Sequence, residues 1–146
     1  MFILLQDQKN NFMDNKFFEK IRIFDGGMGQ ELLSKGLISK GTLWSASALI
    51  EREFHKLVID AHMSYINAGA DIIVTNNFSA RKIRFIQNKV LDKFQYANEQ
   101  AGILANKARE ISKQNILIAG SLPSQSDTYV EDERSSSEIQ SDFEEQ

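Results

Sequence analysis

The chain has 146 residues, with 17 basic and 20 acidic side chains, no cysteine, one proline and one tryptophan. That length suits one ordinary domain, and a composition 42% hydrophobic and 25% charged excludes a disordered or fibrous chain. Zero cysteine excludes a disulfide framework, a thiolate zinc site and a cysteine nucleophile within these residues.

Residues 1–20, rich in Asn, Gln and Lys, read as an irregular leader, with Met13 as an alternative start. Met1–Leu5 is apolar but too short for a signal-peptide core and has no basic segment ahead of it. No apolar run approaches the roughly 18–20 residues of a membrane span. A cytoplasmic location, with no membrane partner, is expected.

Ile21–Phe24 predicts a strand, ended by the turn Asp25-Gly-Gly-Met-Gly29. A short helix follows from Gln30 to Lys35, closed by Gly36. Leu37 to Ser45 is a loop holding Trp44. One long helix then spans Ser47–Ala68, with Phe54, Leu57, Val58, Ala61, Tyr65 and Ala68 on its buried face. Gly69 stops it. Ala70–Val74 is the second strand, and its continuous apolar run suits a parallel sheet. Thr75–Ser79 is a polar turn. Helices at 81–87 and 92–113 follow, the second burying Phe94, Ala97, Ala101, Leu104, Ala105, Ala108 and Ile111. Ile116–Ala119 is the third strand, ended by Gly120-Ser-Leu-Pro123. Ser135–Glu144 begins one more helix or remains part of an acidic tail.

The acidic end, residues 126–146, holds eight acids against one base and carries −7, leaving +4 in residues 1–125. Without clustered Lys or Arg there is no nucleic-acid signal. The tail reads as a solvated or frayed end.

Strands alternating with helices argue an α/β fold, in which ligands bind at the carboxyl ends of the strands. Asp25–Gly29, Thr75–Phe78 and Gly120–Pro123 are therefore expected on one rim. Asp25 can bind an ammonium group or cap the next helix. The glycines do not form a dinucleotide fingerprint, because Leu32 stands where its third Gly belongs. Trp44 is either a lid or a packed anchor. Asn76 and Asn77 are donors to a polar ligand or turn formers. His55 and His62, seven apart, do not form an i, i+4 metal pair, and packing or surface roles are expected for them. Ser121 lacks the partners of a nucleophile.

Three segments together carry a family likeness. Phe24-Asp-Gly-Gly-Met-Gly-Gln-Glu-Leu32, His62-Met-Ser-Tyr-Ile-Asn-Ala-Gly-Ala-Asp-Ile-Ile-Val-Thr-Asn-Asn-Phe78 and Ile118-Ala-Gly-Ser-Leu-Pro123 resemble the homocysteine S-methyltransferase family. The likeness runs from Ile21 to Tyr129, and its Ala-Gly-Ser-Leu-Pro form is most similar to the S-methylmethionine-dependent branch.

The resemblance implies methyl transfer to the homocysteine thiol, giving methionine. Homocysteine and a methyl donor would then be the partners, with zinc held by three cysteines as cofactor. It implies that Asp25, Gly26, Gly27 and Met28 hold the amino-acid end of the substrate, with Thr75 at the end of the second strand and Trp44 over the pocket. It also implies a (β/α)8 TIM barrel, which takes about 250 residues.

This chain would be the N-terminal part, about three β-α units, with residues 21–130 as the partial barrel domain and 131–146 as tail or next helix. No zinc ligands and no catalytic residue are assigned. The chain is expected to be inactive alone and to self-associate or to need a complementing C-terminal chain. The alternatives are a non-catalytic binding or interaction module derived from the same barrel and an unrelated compact α/β domain such as a flavodoxin-like fold.

Overall fold

The protein is described by a computed structural model over residues 2–4, 19–126, 131 and 133–145. Met13, most of the expected leader and the expected boundary at residue 130 lie outside the described residues. Strand β1 is Phe2–Leu4, within the segment read as irregular leader.

Ile21–Phe24 is not a full strand but makes one parallel bridge, Phe24 to Ile72. Two carboxylates account for the difference. Asp71 Oδ2 accepts the Ile23 N–H at 2.9 Å, and Asp25 Oδ2 accepts the Val74 N–H at 2.8 Å. Between them, Ile72 N–H donates to the Ile23 carbonyl at 3.1 Å and Asp25 N–H to the Ile72 carbonyl at 2.9 Å. Side chains thus replace the rungs that would extend the ladder.

Helix α1, Met28–Ser34, starts two residues earlier than the pattern predicts. Gly36, at φ +97°, lets Leu37 N–H reach the Leu32 carbonyl at 2.9 Å and Gly36 N–H reach the Leu33 carbonyl at 3.0 Å. This pair of hydrogen bonds closes the helix, and Leu32 and Leu37 are buried in the same apolar cluster.

The long helix expected over 47–68 is interrupted. A 3₁₀ turn at Gly41–Ala46 leads into α2, Ser47–Ile50, and a second at Arg52–Phe54 leads into α3, His55–Asn67. Glu51 is extended (φ −101°, ψ 106°). His55 Nε2–H donates to the Leu49 carbonyl at 2.9 Å, near the break. This is a structural use of His55.

The buried face of α3 is Val58, Ala61, His62 and Ile66. It is rotated from the expected stripe, with Leu57 and Tyr65 half-buried and Ala68 exposed. Gly69, at φ +101°, ends α3 in the same way as Gly36 ends α1.

Strand β2, Ile72–Val74, runs parallel to β3, Leu117–Ser121, with Ile73 opposite Ile118. β1 pairs antiparallel with the other edge of β3, giving the order β1-β3-β2. Between β2 and β3 come α4, Lys82–Gln87, and α5, Phe94–Ser112.

Ala97, Ala101, Leu104, Ala105 and Ala108 are buried on α5 as expected, but Ile111 is exposed. Alanines on this face let α3 lie close alongside α5. Ile73 and Ile118 pack under that helix pair with Ile66, Ala105, Ala108 and Ile116. Leu32, Leu43, Leu49, Val58, Phe85 and Phe94 form the neighbouring apolar core.

The acidic end forms α6, Ser136–Glu144, opened by a capping box in which Ser135 and Glu138 exchange hydrogen bonds. Lys82 ties its far end down through Glu145, at 2.6 Å. The fold is a mixed α/β arrangement with a small sheet whose β2–β3 pair is parallel.

Candidate functional site

Strand side chains alternate between faces. Ile73 and Ile118 point to the helices, so Ile72, Val74, Ala119 and Ser121 belong to the other face. Val74 and Ser121, at its carboxyl end, border a cavity of about 420 Å³. The rest of its wall comes from Phe24, the Asp25–Gly29 turn, Trp44, Ser45, Thr75, Asn76, Phe78 and Ser79. Every residue expected at the site (Asp25, Gly26, Gly27, Met28, Trp44 and Thr75) therefore lies on one cavity. The three polar corners expected on one rim are all represented there.

Among the described residues, Asp25 is the only charged side chain that lines the cavity. It is half-buried, and burial pushes its carboxyl up from 3.8 to about 6, partly offset by the Val74 N–H. The alternative reading of Asp25 as a helix cap is not what the structure shows. The N-cap of α1 is Gly27, with no side-chain cap bond. Asp25 instead ends the pairing of residues 23–25 with β2.

Thr75 does the equivalent for β2 and β3. Its N–H donates to the Ala119 carbonyl at 2.9 Å, while its Oγ1 accepts the Ser121 N–H at 3.0 Å and donates to Asn77 Oδ1 at 2.7 Å. Asn76 donates to the Ser45 carbonyl at 3.1 Å, and Ser45 and Ser79 hydroxyls lie 3.2 Å apart. These bonds fix the Trp44 loop against the end of β2. Asn77 does not line the cavity and instead donates to Asn98 Oδ1 at 3.1 Å.

Trp44 stands at φ 47°, ψ −121°, a region that L side chains rarely adopt. Its ring lies against Gly29: a Cβ built there would be 2.7 Å from both Cη2 and Cζ2. Tyr65 of α3 comes close to Gly26, 3.0 Å from such an atom. Sequence periodicity places Tyr65 only in a core stripe, and it gives Phe24, Val74 and Ser79 no role at a site; Phe78 is expected on the rim only as the end of the Thr75–Phe78 turn. The aromatic and β-branched character of Phe24 and Val74 is the strand signal itself, so it carries no separate mark of a pocket.

The wall is largely apolar with one carboxylate, the make-up of a small-ligand site whose polar groups set orientation. It suits a ligand with a cationic end and a short apolar body. The implied zinc finds no fit here. The sequence has no cysteine, and among the described residues no three His, Cys, Asp or Glu side chains gather where they could hold a metal. His62 is not a ligand candidate either, being buried on α3 with neither ring nitrogen hydrogen-bonded. Among the described residues no helix is long and apolar enough to cross a membrane.

Known proteins are similar to this chain. The chain is 39% identical over 64 residues to homocysteine S-methyltransferase 1 of Zea mays, covering 44% of this chain and 19% of the relative. It is 32% identical over 115 residues to homocysteine S-methyltransferase of Escherichia coli K12, covering 71% of this chain and 35% of the relative. The crystal structure of the homocysteine methyltransferase MmuM from Escherichia coli, metallated form, superposes with a TM-score of 0.62 at 29% identity. That match covers 73% of this chain and 39% of the solved one, so this chain spans well under half of these relatives' lengths.

The profile of the family described as Homocysteine S-methyltransferase matches residues 22–146. That match takes in the whole Asp25–Thr75–Ser121 rim, and the chain belongs to the homocysteine S-methyltransferase family.

Proposed function

We propose that this chain supplies the amino-acid-binding end of a homocysteine S-methyltransferase, whose reaction moves a methyl group from a donor to the thiol of homocysteine and yields methionine. One observation carries the reading: among the described residues a single half-buried carboxylate, Asp25, faces the cavity at the strand ends, and the other lining residues are uncharged. Oδ2 of Asp25 is held by the Val74 N–H. The carboxylate then receives the substrate ammonium, a charge-assisted bond strengthened by burial. Gly26, Gly27 and Met28 shape the turn around that end, Trp44 covers the apolar body, and Thr75 keeps the second strand end in place. The likeness to the homocysteine S-methyltransferase family supports the N-terminal part of a (β/α)8 barrel in residues 21–130, and a cytoplasmic location is part of the same proposal.

Methyl transfer needs a thiolate, and a free thiol with a pKa of ~8.5 is mostly protonated at neutral pH. Among the described residues no side chain lining the cavity is a strong base, and no zinc ligand set gathers to lower the thiol pKa. On this reading the 146 residues bind the amino-acid end of the substrate and turnover by them alone is not expected; they act either as one part of an enzyme completed by a C-terminal chain or as a binding module.

Calorimetry with homocysteine and with methionine, paired with a zinc-supplemented methyl-transfer assay on the same preparation, tests both halves. Binding without turnover is expected. No heat at millimolar ligand removes the binding role, and measurable methionine formation removes the claim that the chain is inactive alone.

A further inference from the structure

Local backbone demands and residue types are inverted at two touching positions of the cavity. Trp44 occupies a positive-φ conformation where glycine would be easy. Gly29 is the second residue of α1, buried, and is not among the positive-φ glycines Gly36, Gly41 and Gly69. Its backbone asks for no glycine, and alanine is normally the better helix former. What glycine supplies at 29 is space. A methyl carbon there would overlap the six-membered ring of Trp44 at 2.7 Å from two atoms and 3.1 Å from Cε2, the carbon bonded to the indole nitrogen.

The strained Trp44 backbone and the vacant volume at Gly29 therefore belong to one arrangement. The loop presents the indole at an unusual angle, and α1 receives it. Bonds from Asn76 to the Ser45 carbonyl and between Ser45 and Ser79 hold the loop from the other side. The indole thus lies against α1 while the loop that carries it is tied to the chain that follows β2, and both Gly29 and Trp44 form cavity wall.

We propose that Gly29 is a positioning residue: its missing side chain seats the Trp44 indole and so fixes the wall against which the ligand body packs. The ligand part of this inference rests on the amino-acid-binding reading above; the seating part does not. Cavity shape at this end is set by a Gly–Trp pair rather than by the polar rim. A larger residue at 29 would tilt the indole and weaken binding without touching Asp25.

Trp44 is the sole tryptophan of the chain, so its fluorescence reports the seat directly. The experiment compares the full chain with Gly29→Ala, Trp44→Phe and the double variant. It measures emission maximum, acrylamide quenching, thermal melting and homocysteine affinity by calorimetry. Gly29→Ala is expected to shift emission to longer wavelength, increase quenching and lower the melting temperature, although helix propensity alone predicts a higher one. Phenylalanine is smaller than indole, so Gly29→Ala should cost little or even stabilise in the Trp44→Phe background. Homocysteine binding by Gly29→Ala should weaken by about fivefold or more, the range expected for overpacking.

Unchanged emission and quenching in Gly29→Ala would overturn the proposal, as would an equal melting loss in both backgrounds. If Gly29→Ala fails to fold, rescue by the added Trp44→Phe supports the seat, and failure of rescue overturns it. If the unaltered chain shows no homocysteine heat, the function reading fails, while emission, quenching and melting still decide whether Gly29 seats the indole.

Discussion

Replacing Asp25 by asparagine separates the cost of its charge from the use of its shape. The amide of the Asp25→Asn variant keeps an oxygen for the Val74 N–H, which the carboxylate now accepts at 2.8 Å, but carries no charge into the half-buried site. The native carboxyl is raised from 3.8 to about 6 by burial, so the folded state holds its proton more tightly than the unfolded chain. That contribution is fully present below pH ~4 and is lost as pH rises through about 6.

A shift of two units corresponds to at most ~3 kcal/mol at 1.36 kcal/mol per unit. Part of the carboxyl remains in contact with water, and screening reduces the figure to ~1 kcal/mol. Asp25→Asn should therefore be as stable as the parent near pH 4 and about 1 kcal/mol more stable at pH 7–8. Urea unfolding of both proteins at several pH values from 4 to 8 measures the difference, in which titrations common to both cancel. The same substitution should abolish homocysteine binding at pH 7. A stability difference that does not change with pH would refute the argument, because it would show that the carboxylate is not held at a desolvated site.

In the parent chain, homocysteine affinity should rise about tenfold from pH 5 to pH 7, as Asp25, at about 6, passes from mostly protonated to mostly ionised; calorimetry across that range checks it. His62 is buried without hydrogen-bond partners, and burial lowers its pKa from 6.5 to about 4. Its contribution to stability is present above pH 6.5 and is lost as pH falls toward 4. His62→Leu should flatten that acid limb and add roughly 1–3 kcal/mol, the cost of an unmatched buried polar group, read by denaturation at pH 5 and pH 8. Lys89 sits at φ 58° where Gly36 and Gly69 close other helices, so Lys89→Gly should raise stability by about 0.5–1 kcal/mol, measured as an increase in Tm.

Helix α5 was legible because its alanines and leucine recur at helical spacing over a long stretch, and β2 because three β-branched residues stand together. The family likeness was legible for a different reason: each of its motifs sits at a strand end, so their order reports the rim. The helix break at Glu51 was not legible. Residues 47–68 keep an apolar period across it, and the extended conformation of Glu51 comes with tertiary contacts, including the Lys40 ion pair at 2.9 Å. Whether His62 packs inward or faces the surface was not legible, because hydropathy places imidazole with the polar residues, while the pairing of α3 with α5 decides which face turns inward. The pairing of β1 with β3 joins residues 2–4 to 119–121, a separation no local pattern spans.

Periodicity was least able to show what makes the candidate site. In a parallel ladder, the bonds on either side of Val74 and Ser121 should continue through backbone carbonyls. At Val74 the acceptor is instead the Asp25 carboxylate, and at Ser121 it is the Thr75 hydroxyl. Each substitution ends a strand pair at its carboxyl edge without leaving a buried N–H unsatisfied. The following chain is then free to turn away, as Gly26–Met28 and Asn76–Ser79 do around the cavity. Asp25 and Thr75 thus open the pocket by terminating the sheet, and of the two only Asp25 also brings a charge to it. Thr75→Val, which keeps the shape but removes the acceptor, should therefore disturb the β2–β3 end and lower Tm, whereas Asp25→Asn should leave the fold intact and remove the ligand. If Thr75→Val instead spared stability and abolished binding, Thr75 would be a ligand contact and the division of labour between the two strand ends would be wrong.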